Sequence, residues 1–92
     1  MNEYLVELYV SGAEPEGVGQ RTARAQRAAR ELTAAGIPVR FLRSIFVPAD
    51  ETCLFLFQAP SIDDVHEAAR RAALPFDHVA ETAPSPTSLE ET

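Results

Sequence analysis

The chain has 92 residues, 46% of them hydrophobic, a formal net charge of −6, and arginine as its sole basic residue type apart from two histidines. That length makes one domain with a thin core, burying about 60–65% of its unfolded surface. The acidic balance argues against nucleic acid and against an anionic membrane surface as partners, and the single cysteine, Cys53, excludes an internal disulfide and a thiolate-rich metal site.

Glu3 to Val10 alternates at strand period, with Tyr4, Val6, Leu8 and Val10 on one face and Glu3, Leu5, Glu7 and Tyr9 on the other. This start carries two glutamates and no basic residue, so it does not read as a signal peptide. Ser11 to Gly17 is rich in turn residues and reads as a loop. A helix follows from Val18 to Ala35, its inner face mostly alanine (Ala25, Ala28, Ala29 and Ala35, with Leu32), and Gly36 is a natural stop. Val39 to Val47 is a second strand, Pro48 to Glu51 a tight turn, and Thr52 to Ala59 a third strand antiparallel to the second. Ser61 is placed to cap a second helix, with Asp64 three residues on as a short-armed capping-box partner. That helix is expected to end near Leu74, before Pro75, and Phe76 to Glu81 makes a short last strand. Residues 1–81 then form the domain, and 82–92, small, polar and acidic, read as a disordered tail. No apolar run approaches the ~20 residues that span a bilayer, and a cytoplasmic location is the expectation.

The order β-α-β-β-α-β is the ferredoxin-like plan, an α+β sandwich in which a four-stranded antiparallel sheet carries two helices on one face. Leu54-Phe55-Leu56-Phe57 adds a constraint, because a strand with one wet face alternates apolar and polar residues and this one does not. Both faces of the sheet therefore call for cover. Helices supply one cover, and a homodimer with its sheets face to face would supply the other.

Three segments carry a family resemblance: R-S-x-F-V-P-x-D-E at Arg43 to Glu51, C-L-F-L-F-x-A-P-S at Cys53 to Ser61, and L-P-F-D-H-V at Leu74 to Val79. They resemble a bacterial family of small domains, mostly of unknown function, one branch of which contains a small actinobacterial nickel-binding protein with a dimeric ferredoxin-like fold. The resemblance spans Tyr4 to Glu81 and implies that fold, a homodimer and possible nickel or other divalent metal binding. The nickel-binding branch is rich in histidine on both helices. Here the first helix has none, and Ala68 and Ala72 stand where family histidines align, so the resemblance implies a sibling branch that kept the fold and lost that metal site.

Two metal constellations stand in the sequence. Asp63, His66 and Glu67 lie at i, i+3 and i+4 of the second helix, although Glu67 with Arg71 and Asp63 with Arg70 read more simply as surface charge pairs. His78 and Glu81 lie in the last strand, where a dimer would double them, but residues three apart in a strand point to opposite faces unless a bulge intervenes. A third constellation is Glu7, Tyr9 and Arg43. Arg43 sits in an otherwise apolar strand, and a buried charge there needs a partner, for which Glu7 is the candidate. It reads either as a structural ion pair or as a polar anchor in an apolar pocket. The arginines at 21, 24, 27 and 30 recur every three residues, so the row drifts around the helix. Cys53 has no base near it in sequence and reads as a small buried residue.

The leading expectation is a small homodimeric binding protein that requires no cofactor and holds a small molecule or a divalent metal. The alternative is a cofactor-free enzyme of monooxygenase, cyclase or isomerase type, with Arg43 stabilising negative charge, Glu7 or His78 taking a proton and Tyr9 giving one. A third class is a protein-interaction module that uses the arginine-bearing helix.

Overall fold

In a computed structural model, which describes residues 2–10 and 15–83, the elements run β1 (Asn2–Tyr9), α1 (Pro15–Ala34), β2 (Arg40–Val47), a 3-10 turn (Pro48–Asp50), β3 (Thr52–Ala59), α2 (Ile62–Arg71) and β4 (His78–Glu81). The four strands form one antiparallel sheet in the order β2-β3-β1-β4. This is the expected ferredoxin-like arrangement. Residues 84–92 of the expected tail, and 11–14 of the expected loop, lie outside the described residues.

Alternation sorts β1 as read from the sequence. Tyr4, Val6 and Leu8 are buried against the helices, in one cluster with Cys53, Phe55, Phe57 and Ala59 of β3. The helices meet them mainly with small side chains: Ala25, Ala28, Ala29 and Leu32 from α1, and Val65, Ala68, Ala69 and Ala72 from α2. The sheet thus supplies the bulk of the core and the helices lie close upon it.

The boundaries differ from expectation where local chemistry decides them. α1 begins at Pro15, inside the segment read as loop. Proline suits a first helical turn, whose N–H has no partner within the helix. α2 ends at Arg71, because Ala73 turns into the left-handed region at φ 56° and its N–H bonds the Arg70 carbonyl at 3.0 Å. The Ala72 carbonyl at that end accepts from Arg24 Nε of α1 at 2.7 Å, which ties the two helices together. At the other end of α2, Ser61 Oγ accepts from the Asp64 N–H, while its own hydroxyl donates to the Asp64 carboxylate at 3.1 Å. The capping box is therefore half made, as expected of an aspartate too short to reach back. Ser61→Ala is expected to destabilise the domain by about 0.5–2 kcal/mol, read as a lower midpoint in urea with an unchanged slope.

β2 holds the feature that orients the rest. Its register on β3 slips between Phe41 and Arg43, so Leu42 is an extra, 37% exposed residue in a bulge. Phe41 faces the helices, its ring edge-on to Phe57 with centroids 5.4 Å apart. After the bulge Ser44 and Phe46 pair with Phe55 and Cys53, and Ser44 Oγ lies 2.9 Å from Thr22 Oγ1 of α1. Arg43, Ile45 and Val47 are consequently turned to the side away from the helices.

Candidate ligand-binding face

The strand registers lay out the second face of the sheet in rows. One row reads Arg43, Leu56, Leu5, Ala80, the next Ile45, Leu54, Glu7, His78, and a third Val47, Thr52, Tyr9. No helix covers this face. Leu56 is 8% exposed, Leu5, Leu54 and Val47 are half-buried, and Ile45 and Tyr9 are 37% and 60% exposed. The non-alternating β3 is thus explained: its phenylalanines fill the helix side and its leucines form an apolar strip on the other.

Glu7, Tyr9 and Arg43 all lie on this face, in three different rows. Arg43 is exposed and makes no ion pair or hydrogen bond with another described residue. The expected buried Arg43–Glu7 pair is not formed, since β3 stands between their strands and no charged or polar side chain is buried among the described residues. Glu7 instead lies directly across from His78. Tyr9 is anchored through its backbone, whose N–H donates to Asp77 Oδ2 at 3.1 Å.

The Glu51 carboxylate, through its charge and a hydrogen bond, holds the Tyr9 phenol above its ordinary value, with a smaller contribution from burial. A raised phenol keeps its proton more tightly in the folded chain. The stability it contributes is therefore complete below the usual tyrosine value near ~10 and is lost as pH climbs from there through the raised folded value. In an absorbance titration of the phenolate, Glu51→Gln is expected to bring the ionisation of Tyr9 to lower pH.

The candidate metal ligands are dispersed. His78 is on the uncovered face, whereas Glu81 pairs with the core residue Tyr4 and belongs to the helix side. His66 is on α2, its ring edge-on to Phe76 with centroids 5.3 Å apart. Glu67 is engaged by both Arg70 and Arg71. Cys53 is buried in the core, where burial pushes its thiol up and the Arg21 charge pulls it partly back. Among the described residues no three histidine, cysteine, aspartate or glutamate side chains converge as metal ligands would.

The chain matches a family described as nickel responsive protein SCO4226-like over residues 4–82. It belongs to that family. Among solved structures, it is similar to SCO4226 from Streptomyces coelicolor A3(2), with a TM-score of 0.74 and 19% identity over 90% of this chain and 98% of that one. At that identity the likeness shows the fold of the SCO4226-like family. No curated protein matches the chain. No helix among the described residues is long and apolar enough to cross a membrane.

The sequence did not single out one further feature, a groove between α1 and the outer edge of β2. Its signal was available in Gln26, Ala29, Arg30, Thr33 and Ala34, which fall at i, i+3, i+4, i+7 and i+8 on one stripe of α1.

Proposed function

We propose that the protein is a small homodimeric binding protein, with the uncovered sheet faces of two copies packed together and a small organic ligand held at the margin of that contact beside Arg43. The observation that carries this reading is the apolar strip of Leu5, Leu54, Leu56, Ile45 and Val47 on a face that no described element covers. A chain this small gains much from a second apolar contact, and a strip bordered by charge is the usual mark of an interaction site. The charges favour a second copy. Arg43 lies on β2 at one edge and Glu7 toward the other, so a two-fold axis parallel to the strands brings β2 of one copy over the β1–β4 edge of the other, cation toward carboxylate. Arg43, without a partner among the described residues, then offers a guanidinium to a carboxylate or a similar anion next to an apolar wall.

The family name supports nickel as a second reading, but the residues of one chain do not fit a nickel site. Nickel takes nitrogen and oxygen donors in convergent sets, and the described residues of one chain bring no three such donors together, Glu7 and His78 being a cross-strand pair on this face. A metal reading therefore needs donors from two copies.

Native mass spectrometry of the untagged chain tests both. The expected result is a dimer of the 10.0 kDa chain, bare or carrying an organic mass whose retention falls in Arg43→Ala. A monomer overturns the proposal. A chelator-sensitive nickel increment that disappears in His78→Ala replaces the organic ligand with metal.

A further inference from the structure

We propose that the groove between α1 and β2 is a second binding site, separate from the uncovered sheet face, for a small amphipathic anion: an apolar chain or ring ending in a carboxylate or phosphate. The groove is open to solvent along its length, has a volume of about 640 Å³ and is lined by Gln26, Ala29, Arg30, Thr33 and Ala34 of α1 with Val39 and, at the start of β2, Arg40 and Phe41. That volume lies within the range of small-molecule sites, about 300–1,000 Å³.

Charge sets this place apart. The chain carries a net −6, yet among the described residues both charged ones lining the groove are arginines and no carboxylate lines it. Three of the other arginines are engaged by described partners. Arg24 bonds the Ala72 carbonyl, and Arg70 and Arg71 share Glu67. Arg30 and Arg40 make no hydrogen bond or ion pair with another described residue. Arg30 on α1 offers a planar guanidinium fork that matches a carboxylate or phosphate, and Arg40, whose register with Gln58 and Glu3 sets it toward the other side of β2, adds a second cation at the strand edge of the groove.

The rest of the lining suits an apolar body. Ala29, Ala34, Val39 and Phe41 make the floor and wall. Phe41 is held in place, its ring packed on both Phe55 and Phe57. Thr33 donates its hydroxyl proton to the Val39 carbonyl at 2.9 Å, which fixes the strand start to the helix at the end of the groove. The alanines keep the helix side shallow. A preformed apolar floor with two cations at its rim is the arrangement that rewards an amphiphile over either a plain ion or a plain hydrocarbon.

The test is a titration of the full chain with octanoate and with octyl phosphate, followed by amide NMR shifts, with 1-octanol as the uncharged control. The expected result is saturable shifts confined to residues 26–34 and 39–41. The Arg30→Gln, Arg40→Gln double variant should weaken both anions by about tenfold or more while its thermal midpoint stays put, and octanol should bind at least about tenfold more weakly than octanoate. Preference between the two anions identifies the head group. Equal binding of octanol, an unaffected double variant, or shifts centred on Leu5, Ile45 and Leu54 overturns the proposal. Leu54→Asp should leave the groove titration unchanged, so failure of the dimer and failure of this site are read separately.

Discussion

Leu54→Asp is expected to yield a folded monomer. Leu54 sits between Ile45 and Glu7 in the central row of the uncovered face and is half-buried within its own chain. An aspartate there remains in reach of water when the chain is alone, so the cost to the isolated fold is small. Glu7 lies directly across on the neighbouring strand of the same chain, a like-charge opposition that water screens in the monomer, whereas in a face-to-face dimer the same carboxylate is shut in an apolar contact. At about 2 kcal/mol for each copy and two copies in every dimer, the dissociation constant should rise by about a thousandfold. Light scattering behind a sizing column reads the outcome, with circular dichroism to show that the sheet and helices persist. A variant that stays dimeric would move the contact elsewhere, and with it the proposed function.

The fold was legible because each element obeys a local rule. β1 alternates, α1 and α2 carry apolar residues at helical spacing, and Pro48 to Glu51 can only turn. The absence of alternation in Leu54-Phe55-Leu56-Phe57 was the most telling signal, and the structure gives it physical form as two apolar faces, one under the helices and one uncovered.

The candidate site was less legible, and the reason is the bulge at Leu42. Alternation continued from Phe41 would have turned Arg43 toward the helices, and a guanidinium there would have demanded a buried partner. One extra residue reverses every later side chain of the strand. Arg43 is thereby placed on the open face, where water serves it, and no compensating pair with Glu7 is required. A register slip depends on how two strands meet, which one strand's pattern does not record. The α1–β2 groove escaped for a similar reason: its helical stripe is readable, but its partners Val39 to Phe41 join it only through the packing of β2 against α1. The arginine row behaved as its three-residue spacing implied, with Arg24 directed to α2 and Arg30 to the groove on the opposite flank.

The largest expected effect on stability is that of Phe57→Ala. Phe57 is fully buried, paired across the sheet with Tyr4 and Phe41 and edge-on to the Phe41 ring. Removing a buried phenylalanine costs about 3–5 kcal/mol, against about 5–14 kcal/mol for a whole domain of this length. The cost should fall at the upper end of its range. The helix residues above the sheet are mostly alanine, and an alanine has no side chain that can swing into a void, so the space could close only by moving a helix whose end is pinned by Arg24 on the Ala72 carbonyl. Phe57→Leu should recover much of the loss by refilling that volume. Leu56→Ala, one residue away on the other face, provides the contrast. Leu56 is already buried within its own chain, so only the part of its penalty that a second copy adds should grow with protein concentration, as linkage to a dimer requires. Phe57→Ala should show nearly the same loss at every concentration. Urea melts of the two variants at low and high protein concentration therefore separate the core from the interface within a single strand, and identical concentration dependence in both would remove the uncovered face from any role in assembly.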